Sequence, residues 1–310
     1  MIRDGKRGLC RVRENRDGKL YTLIYGSASS VAADPIEKKP LYHFYPKSYV
    51  FSLGTAGCNL FCKHCQNYSI SAVKPEDIYL QELDVEEVSE LAVRYGCKGI
   101  AWTYNEPTIW HEFAVDATKL AKEKGLYAVY VSNGYINEEP FREIGNYLDA
   151  INVDVKSFSD DFYKKVTGGR LEPVLNTCKL AREMDLHLEV TYLVIPGLND
   201  SRGEIRKFCK WVTEELSIDT PIHFTRFYPH YKMIDKPPTP LETLLEAFSI
   251  AKEESLRYVY LGNVPHGDYD NTYCPHCGAL LIERYGFSST IVNLDGDRCS
   301  KCGKRIPIVV

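Results

Sequence analysis

The chain has 310 residues, 44% of them hydrophobic, which is enough to bury one large core with a small appended module. Its formal net charge of −4 and its interspersed acidic and basic residues argue against a surface that coats nucleic acid. No apolar run approaches the roughly 20 residues of a membrane span, and the N-terminus lacks the apolar core of a signal peptide. Eleven cysteines in a chain of this length indicate metal binding in a reducing, cytoplasmic compartment.

The N-terminal region, residues 1–47, predicts a loop-rich extension. A hairpin is predicted with its turn at Asn15–Gly18, where an Asn-Arg-Asp-Gly run favours a tight turn. Lys38 and Lys39 follow Glu37, and this charged run predicts solvated surface.

Residues 48–262 alternate between short apolar runs and longer helical stretches, which predicts βα units around a parallel sheet covered on both faces. The predicted strands are Tyr49–Leu53, Gly99–Thr103, Ala128–Ser132, Ala150–Val155, Leu188–Val194, Ile222–Phe227 and Tyr258–Gly262. The predicted helices are Val85–Tyr95, Thr108–Lys124, Glu138–Tyr147, Leu171–Met184, Arg202–Leu216 and Leu241–Ser255. Right-handed crossovers would wind these units into an α/β fold, a partial (β/α)6 barrel like that of triosephosphate isomerase.

Three cysteines follow the first predicted strand in a C-x3-C-x2-C run, namely Cys58, Cys62 and Cys65. Catalytic groups of such barrels lie in the loops after the strands, so this position favours a functional site. Thiolates select iron–sulfur clusters or zinc, and three cysteines on a four-iron cluster leave one iron open to a small molecule. A zinc knuckle and three adjacent core cysteines are the alternatives, although zinc prefers four ligands and paired C-x2-C hooks.

Polar side chains follow the cysteine run and recur at the ends of the next strands, where a barrel would bring them to one mouth. The candidates for cofactor binding are Asn67, Tyr104, Asn105, Glu106, Ser132, Asn133, Asp154, Lys156 and His230. A carboxylate such as Glu106 suits an ammonium group, and Lys156 suits a carboxylate. Each residue also has an ordinary explanation: Glu106 before Pro107 could cap the following helix, and Asn133 could belong to a simple turn.

The cysteine spacing resembles that of the radical S-adenosylmethionine (radical SAM) superfamily. The resemblance implies a [4Fe–4S] cluster on Cys58, Cys62 and Cys65, whose open iron is chelated by the amino and carboxylate groups of SAM. It also implies that an electron from the reduced cluster cleaves SAM to methionine and a 5′-deoxyadenosyl radical, which abstracts hydrogen from a substrate. A one-electron donor such as ferredoxin or flavodoxin is then an expected partner.

The strand ends resemble those of the glycyl-radical-enzyme activases, the group of pyruvate formate-lyase activating enzyme. The Gly-Gly-Glu, Asp-Leu-Lys, Val-Pro-Gly and Pro-Tyr-His motifs of that group are similar to residues 104–106, 154–156, 195–197 and 228–230. The resemblance implies that Lys156 and His230 contact SAM and that Asn105 approaches its methionyl part. It implies that Asp154 binds SAM or a nearby cation.

This chain departs from the activase pattern at two positions. His64 stands where an aromatic residue usually precedes the last cluster cysteine, and Ser132 stands where an aspartate usually precedes Asn-Gly. The contacts to the adenine and the ribose of SAM therefore stay open.

A closer resemblance covers nearly the whole chain. Residues 34–44, 65–67, 102–107 and 262–265, together with the cysteine tail, are similar to radical SAM enzymes of the AmmeMemoRadiSam system. The resemblance implies association with Memo-type and AMMECR1-type proteins and does not supply a substrate. Relatives often begin with a longer cysteine-containing segment, of which only Cys10 remains here, so a metal role for Cys10 stays open.

The tail, residues 263–310, carries two C-x2-C hooks, each followed by glycine. Its four cysteines are Cys274, Cys277, Cys299 and Cys302. Four thiolates in this arrangement favour a structural zinc site of the zinc-ribbon type. Rubredoxin-like iron and a second cluster are the alternatives, because sulfur ligation alone does not choose between them.

The sequence therefore predicts a radical SAM oxidoreductase similar to pyruvate formate-lyase activating enzyme, with an unidentified substrate. The substrate is either a glycine of a partner protein or a different molecule modified together with the associated proteins. A hypothesis from another class is a non-enzymatic iron–sulfur electron carrier or redox sensor. The remaining cysteines, Cys97, Cys178 and Cys209, are predicted to be small buried hydrophobic residues.

Overall fold

The computed structural model describes residues 2–265 and 267–310; Met1 in the predicted extension and His266 in the predicted tail lie outside the described residues. The strands are β1 (Arg13–Arg16), β2 (Lys19–Thr22), β3 (Ser27–Ala28), β4 (Ser30–Pro35), β5 (Tyr49–Gly54), β6 (Gln81–Glu82), β7 (Gly99–Trp102), β8 (Tyr127–Ser132), β9 (Ala150–Asp154), β10 (His187–Val194), β11 (Ile222–Arg226), β12 (Val259–Gly262), β13 (Thr272–Tyr273), β14 (Leu280–Tyr285), β15 (Ser288–Ile291), β16 (Leu294–Asp295) and β17 (Arg298–Cys299).

The α-helices are α1 (Tyr68–Ser71), α2 (Val85–Arg94), α3 (His111–Glu123), α4 (Glu138–Gly145), α5 (Asp160–Phe162), α6 (Leu171–Glu183), α7 (Arg202–Trp211) and α8 (Leu241–Glu253). Shorter 3-10 segments lie at Ile36–Lys38, Pro75–Asp77, Pro107–Trp110 and Asp268–Asp270, and π-helical turns lie at Tyr163–Thr167 and Val212–Leu216. Within the described residues, none of these helices has the length and apolar character needed to cross a membrane.

The main sheet has eight strands in the order β12-β11-β10-β9-β8-β7-β5-β4. Strands β5 and β7 to β12 run parallel to their neighbours, and β4 is antiparallel to β5. The helices α2, α3, α4, α6, α7 and α8 lie in the six connections between successive parallel strands. This arrangement confirms the predicted α/β fold, and the predicted strands and helices lie within a few residues of the observed ones.

The parallel strands follow the sequence pattern because most of their residues are buried, as in a sheet covered on both sides. Indole groups add specific contacts to this core. Trp102 in β7 donates from Nε1 to Thr118 Oγ1 at 2.9 Å, and Trp110 donates to the carbonyl oxygen of Ile24 at 2.6 Å. The two indole rings meet edge to face with centroids 5.4 Å apart, so the N-terminal region is fastened to the first βα units.

The N-terminal region has more regular structure than the sequence predicted. The hairpin of β1 and β2 lies at the predicted position, with Arg16 opposite Lys19. However, Ser30–Pro35 forms β4, which pairs with all six residues of β5 and was not predicted. Its residues Ser, Val, Ala, Ala, Asp and Pro include only one strong strand former, so local propensity gave no signal for it.

The cysteine tail packs against the edge strand β12 of the main sheet. Tyr260 in β12 bonds through its hydroxyl to Thr272 of the tail and to His43. The guanidinium of Arg284 stacks 4.2 Å from the ring centroid of Tyr42, which lies beside Tyr260, and donates to the Tyr42 carbonyl oxygen at 2.7 Å. The tail therefore packs against both β12 and the residues that follow β4.

The buried carboxylate of Glu189 connects neighbouring strands of the main sheet through hydrogen bonds. Glu189 in β10 is fully buried, and its Oε1 accepts from the backbone N–H of His43 at 2.7 Å. His187 Nε2 lies 2.9 Å from the same oxygen, and His223 Nε2 lies 2.6 Å from Oε2. Burial by itself would raise the pKa of Glu189, but the hydrogen bonds from the two histidines hold that pKa well below its usual value.

The substitution Glu189→Gln should lower the free energy of unfolding at pH 7 by about 1–3 kcal/mol, because charge-assisted hydrogen bonds inside the sheet are lost. Since the folded-state pKa is depressed, the stabilisation by Glu189 should exist above the ordinary glutamate pKa of 4.5 and decline as the pH falls below it. Urea unfolding at pH 7 and at lower pH measures both effects. Glu172→Gln, exposed on α6, is the control, and equal effects of the two substitutions at pH 7 would contradict the assignment.

Candidate active site

A cavity of about 700 Å³ lies at the carboxyl ends of the parallel strands. The three cysteines of the C-x3-C-x2-C run line it. Eight of the nine predicted cofactor-binding residues also line it, namely Asn67, Tyr104, Asn105, Glu106, Ser132, Asn133, Asp154 and Lys156. Within the described part of the chain, His230 is not among the lining residues; it is exposed, with its ring 5.8 Å from that of Tyr68.

The loop that carries the cysteines is held by backbone contacts on both sides. The N–H of Phe61 donates to the carbonyl oxygen of Thr167 at 2.7 Å, and that of Lys63 donates to Val166 at 3.0 Å. Both acceptors belong to the π-helical turn after α5, a type of turn that is frequent at functional sites. The Lys63 carbonyl oxygen in turn accepts from the N–H of Lys232, beyond β11.

Glycine is required at the start of this loop. Gly57 has φ +89°, a left-handed conformation that other residues rarely adopt, and a Cβ atom there would lie 2.5 Å from the carbonyl oxygen of Cys10. The backbone of Cys10 therefore packs directly under the cysteine loop.

Asn105 fastens the loop to the end of β7. Its Nδ2 donates to the carbonyl oxygen of Gly57 at 2.8 Å, and its Oδ1 accepts from the N–H of Thr55 at 3.0 Å. Both ends of the side-chain amide are therefore engaged by the backbone that leads into Cys58. This contact makes Asn105 a positioning residue for the cysteine loop.

Glu106 is buried and has two structural roles, of which the helix cap was considered from the sequence. Its Oε1 accepts from the N–H of Thr108 at 3.1 Å, which is the predicted helix cap, and from Ser132 Oγ at 2.8 Å. Its Oε2 accepts from the N–H of Asn133 at 2.8 Å, so the carboxylate joins the ends of β7 and β8. Burial raises the pKa of Glu106, and these hydrogen bonds oppose that effect.

Lys156 and Asp154 form an ion pair at the end of β9, with Nζ 2.6 Å from Oδ2. Burial of Lys156 disfavours its charge, but Asp154 and the nearby Cys62 outweigh burial and raise the pKa of Lys156. The ammonium group is therefore charged at neutral pH. It lies in the same cavity as the cysteines and can interact with an anionic group there.

His64, between two of the cysteines, is buried and lines the cavity. Neither ring nitrogen has a hydrogen-bond partner among the described residues. Burial, with a further contribution from Lys156, lowers the pKa of His64 to about 3, so the ring is neutral. A neutral imidazole with two unused nitrogens offers one donor and one acceptor to a bound molecule.

The three thiols provide a donor set that fits an iron–sulfur cluster. They are free, partly exposed and share one cavity. Burial raises the pKa of Cys58 well above its usual value and raises the pKa of Cys62 to about 12, although Lys156 opposes the shift at Cys62. The N–H of Leu60 donates to Cys58 Sγ at 3.5 Å, a contact that favours a metal-bound thiolate.

Some residues of the cavity were not predicted as functional. Lys39 was predicted to be solvated surface, and this prediction was wrong: it is 1% exposed and donates to Asp34 Oδ2 at 2.7 Å. Glu37 also lines the cavity, as do Gly286 and Phe287 from the tail. The charged run looked like surface because its partner Asp34 belongs to the unpredicted strand β4.

The four tail cysteines form a compact group that could hold a metal ion. Cys274 Sγ lies 3.7 Å from Cys302 Sγ, Cys277 Sγ lies 3.7 Å from Cys299 Sγ, and all four sulfurs lie within 4.8 Å of one another. Tetrahedral ligation with metal–sulfur bonds of about 2.3 Å places sulfurs about 3.8 Å apart. The geometry therefore fits a single ion such as zinc or iron, since a multi-iron cluster would separate the sulfurs more widely.

The model of the Radical SAM superfamily matches residues 52–209. An uncharacterized protein of Methanocaldococcus jannaschii is 50% identical over 312 residues, covering 100% of this chain and 93% of the relative. A pyruvate formate-lyase-activating enzyme of Clostridium pasteurianum is 27% identical over 160 residues, covering 49% of this chain and 64% of the enzyme. The crystal structure of Streptococcus suis SuiB bound to precursor peptide SuiA has a TM-score of 0.55 at 12% identity, covering 74% of this chain and 52% of SuiB; it shares the fold.

The substitution Asn105→Ala should loosen the cysteine loop, because two hydrogen bonds to its backbone are lost. We expect amide hydrogen exchange in residues 55–65 to accelerate by roughly five- to thirtyfold, the equivalent of about 1–2 kcal/mol of local stability. Exchange measured by mass spectrometry on anaerobic protein tests this. Asn146→Ala, at an exposed position, is the control, and unchanged exchange in the loop would refute the positioning role.

The substitution Cys277→Ser should abolish stoichiometric binding of the tail ion, about one per chain, because a tetrahedral site loses a ligand. The melting temperature should fall, since the tail packs against Tyr42 and Tyr260 in one hydrophobic cluster. Elemental analysis and calorimetry measure the two effects. Cys97→Ser serves as the control for metal content, and a bound ion retained in full by Cys277→Ser would contradict four-sulfur ligation.

Proposed function

Because the chain belongs to the radical SAM superfamily and is similar to pyruvate formate-lyase-activating enzymes, we propose that it cleaves S-adenosylmethionine reductively at a [4Fe–4S] cluster. Cys58, Cys62 and Cys65 would hold the cluster. The observation that carries the proposal is that these thiols and eight of the predicted cofactor-binding residues line one cavity. The cluster and SAM together would supply a 5′-deoxyadenosyl radical that takes a hydrogen atom from the substrate.

Different residues of the cavity are suited to different groups of SAM. Lys156, charged and paired with Asp154, is suited to the carboxylate of the methionyl part. Glu106 keeps a lone pair on Oε2 beyond its bond to Asn133, which is suited to a donor group of SAM. The neutral ring of His64 offers hydrogen bonds at the position where relatives carry an aromatic residue.

Other residues around the cavity position the cysteine loop. Asn105 fixes the backbone before Cys58, and the π-helical turn fixes it on both sides of Cys62. Fixed geometry matters because positioning reacting atoms is the main contribution a protein makes when cofactors carry the chemistry. His230, outside the cavity lining, would reach SAM only if the exposed segment after β11 turns inward on binding.

The shape of the cavity favours one class of substrate over another. The cavity of about 700 Å³ must hold the cluster and SAM as well as the substrate, and the tail borders one wall with Gly286 and Phe287. We therefore favour a small molecule or a single side chain over a docked glycyl loop. We further propose ferredoxin or flavodoxin as the electron donor, zinc in the tail, a cytoplasmic location, and Memo-type and AMMECR1-type proteins as partners.

An electron carrier or redox sensor is the competing function. A carrier has no need for a cavity in which a charged Lys156 and a buried Glu106 lie beside the cluster ligands. The two functions differ in one measurable product, 5′-deoxyadenosine.

Anaerobic protein reconstituted with iron and sulfide, then given dithionite and SAM, should release 5′-deoxyadenosine. The substitution Cys62→Ala should reduce this release by at least about a hundredfold, because the cluster loses a ligand. Cys178→Ala, a buried core position remote from the cavity lining, is the matched control and should retain cluster content. Chromatographic quantification decides the outcome: a cluster-loaded wild-type protein that forms no product would favour the electron carrier.

A further inference from the structure

One wall of the cavity has no part in the cleavage of SAM as proposed above. It is formed by residues 37–40 after β4, by Tyr42, and by Gly286 and Phe287 at the tip of the tail hairpin. Two of its side chains, Glu37 and Lys39, are ionisable and each is only 1% exposed. Charged side chains are almost never buried to this degree unless partners compensate them.

Glu37 is compensated on one oxygen only. Its Oε1 accepts from the N–H of Lys47 at 3.0 Å and from the hydroxyl of Ser289 in the tail. Its Oε2 is buried and has no hydrogen-bond partner among the described residues. A buried carboxylate oxygen without a hydrogen-bond donor destabilises the fold, so we expect a bound molecule to supply the donor for Oε2.

Lys39 has more hydrogen-bond donors than acceptors around it. In the described part of the chain, its ammonium group has one hydrogen-bond acceptor, Asp34 Oδ2 at 2.7 Å, for three N–H donors. Asp34 is also shared with Lys38 at 2.8 Å and with the hydroxyl of Tyr104 at 2.5 Å. Burial lowers the pKa of Lys39 to about 8, although Asp34 opposes the shift, so the group is still mainly protonated at neutral pH.

The charges of this wall balance when Asp34, which lies outside the cavity lining but pairs with Lys38 and Lys39, is counted with it. Asp34 and Glu37 contribute two carboxylates, and Lys38 and Lys39 contribute two ammonium groups. A purely anionic ligand would be repelled by Glu37, and a purely cationic one by Lys39. A ligand that donates to Glu37 Oε2 and accepts from the Lys39 ammonium, and that has no net charge, carries both an ammonium and a carboxylate group.

We propose that Glu37 and Lys39 form a recognition site for the α-amino acid head group of the molecule from which hydrogen is removed. The ammonium of that molecule donates to Glu37 Oε2, and its carboxylate accepts from Lys39 Nζ. The tail takes part because Ser289 orients Glu37 and Phe287 covers the same wall. This inference rests on the proposed function, since it names the substrate class of the same cavity.

The probes are the twenty free L-amino acids, added one at a time to the cluster-loaded, zinc-loaded protein with SAM and dithionite. At least one should accelerate the release of 5′-deoxyadenosine by about tenfold or more. Its N-acetyl derivative and its amide should not, because each removes one of the two charges. If no amino acid accelerates the release, the inference is overturned.

The substitutions Glu37→Gln and Lys39→Met test the residues themselves. Each should raise the concentration of the active amino acid needed for half-maximal acceleration by at least about tenfold, because the partner charge is left unpaired. Glu139→Gln and Lys210→Met, both at exposed positions, are the matched controls. Variants are compared at equal iron content and after their melting temperatures confirm folding.

Two further outcomes separate the proposals. A parallel increase in the SAM concentration needed for half-maximal cleavage would show that Glu37 and Lys39 hold SAM, and would overturn the inference alone. If the wild-type protein releases no 5′-deoxyadenosine, the proposed function fails, and equilibrium dialysis with labelled amino acids tests the site directly. Binding that Glu37→Gln and Lys39→Met abolish supports the site, and absence of binding overturns it.

Discussion

The parallel hydrogen bonding of seven strands is the constraint on which this molecule depends. Because neighbouring strands run in one direction, their carboxyl ends meet at one mouth, and residues distant in sequence become neighbours there. The cysteine loop after β5, Asn105 and Glu106 after β7, Asn133 after β8 and Lys156 after β9 share a cavity for this reason. The residues of the site come from several strand ends, so the site is formed only when the parallel sheet is folded.

The sequence predicted the repeated part of this architecture well. The seven parallel strands and six helices carry clear apolar patterns, and the paired C-x2-C spacing predicted the compact group of four tail cysteines. It failed for β4, whose small residues give no propensity signal and whose pairing with β5 is a long-range contact. The error then spread: without β4 there was no Asp34 to pair with Lys39, and a buried lysine was taken for surface.

The candidate site shows a second limit of sequence reasoning. Residue types at strand ends indicated which side chains meet, but not what each side chain would do on arrival. Asn105 uses both ends of its amide on the loop backbone, and Glu106 caps a helix while joining β7 to β8. Such double roles depend on differences of a few tenths of an ångström in hydrogen-bond distances, which a residue pattern does not encode.

The position of the tail has a consequence for biosynthesis. Its hairpin supplies Gly286 and Phe287 to the cavity, and Ser289 donates to Glu37, another lining residue. Gly286 and Phe287 follow every other lining residue in the order of synthesis. A nascent chain can therefore assemble the sheet and the cysteine loop while the cavity still lacks the wall that the hairpin provides.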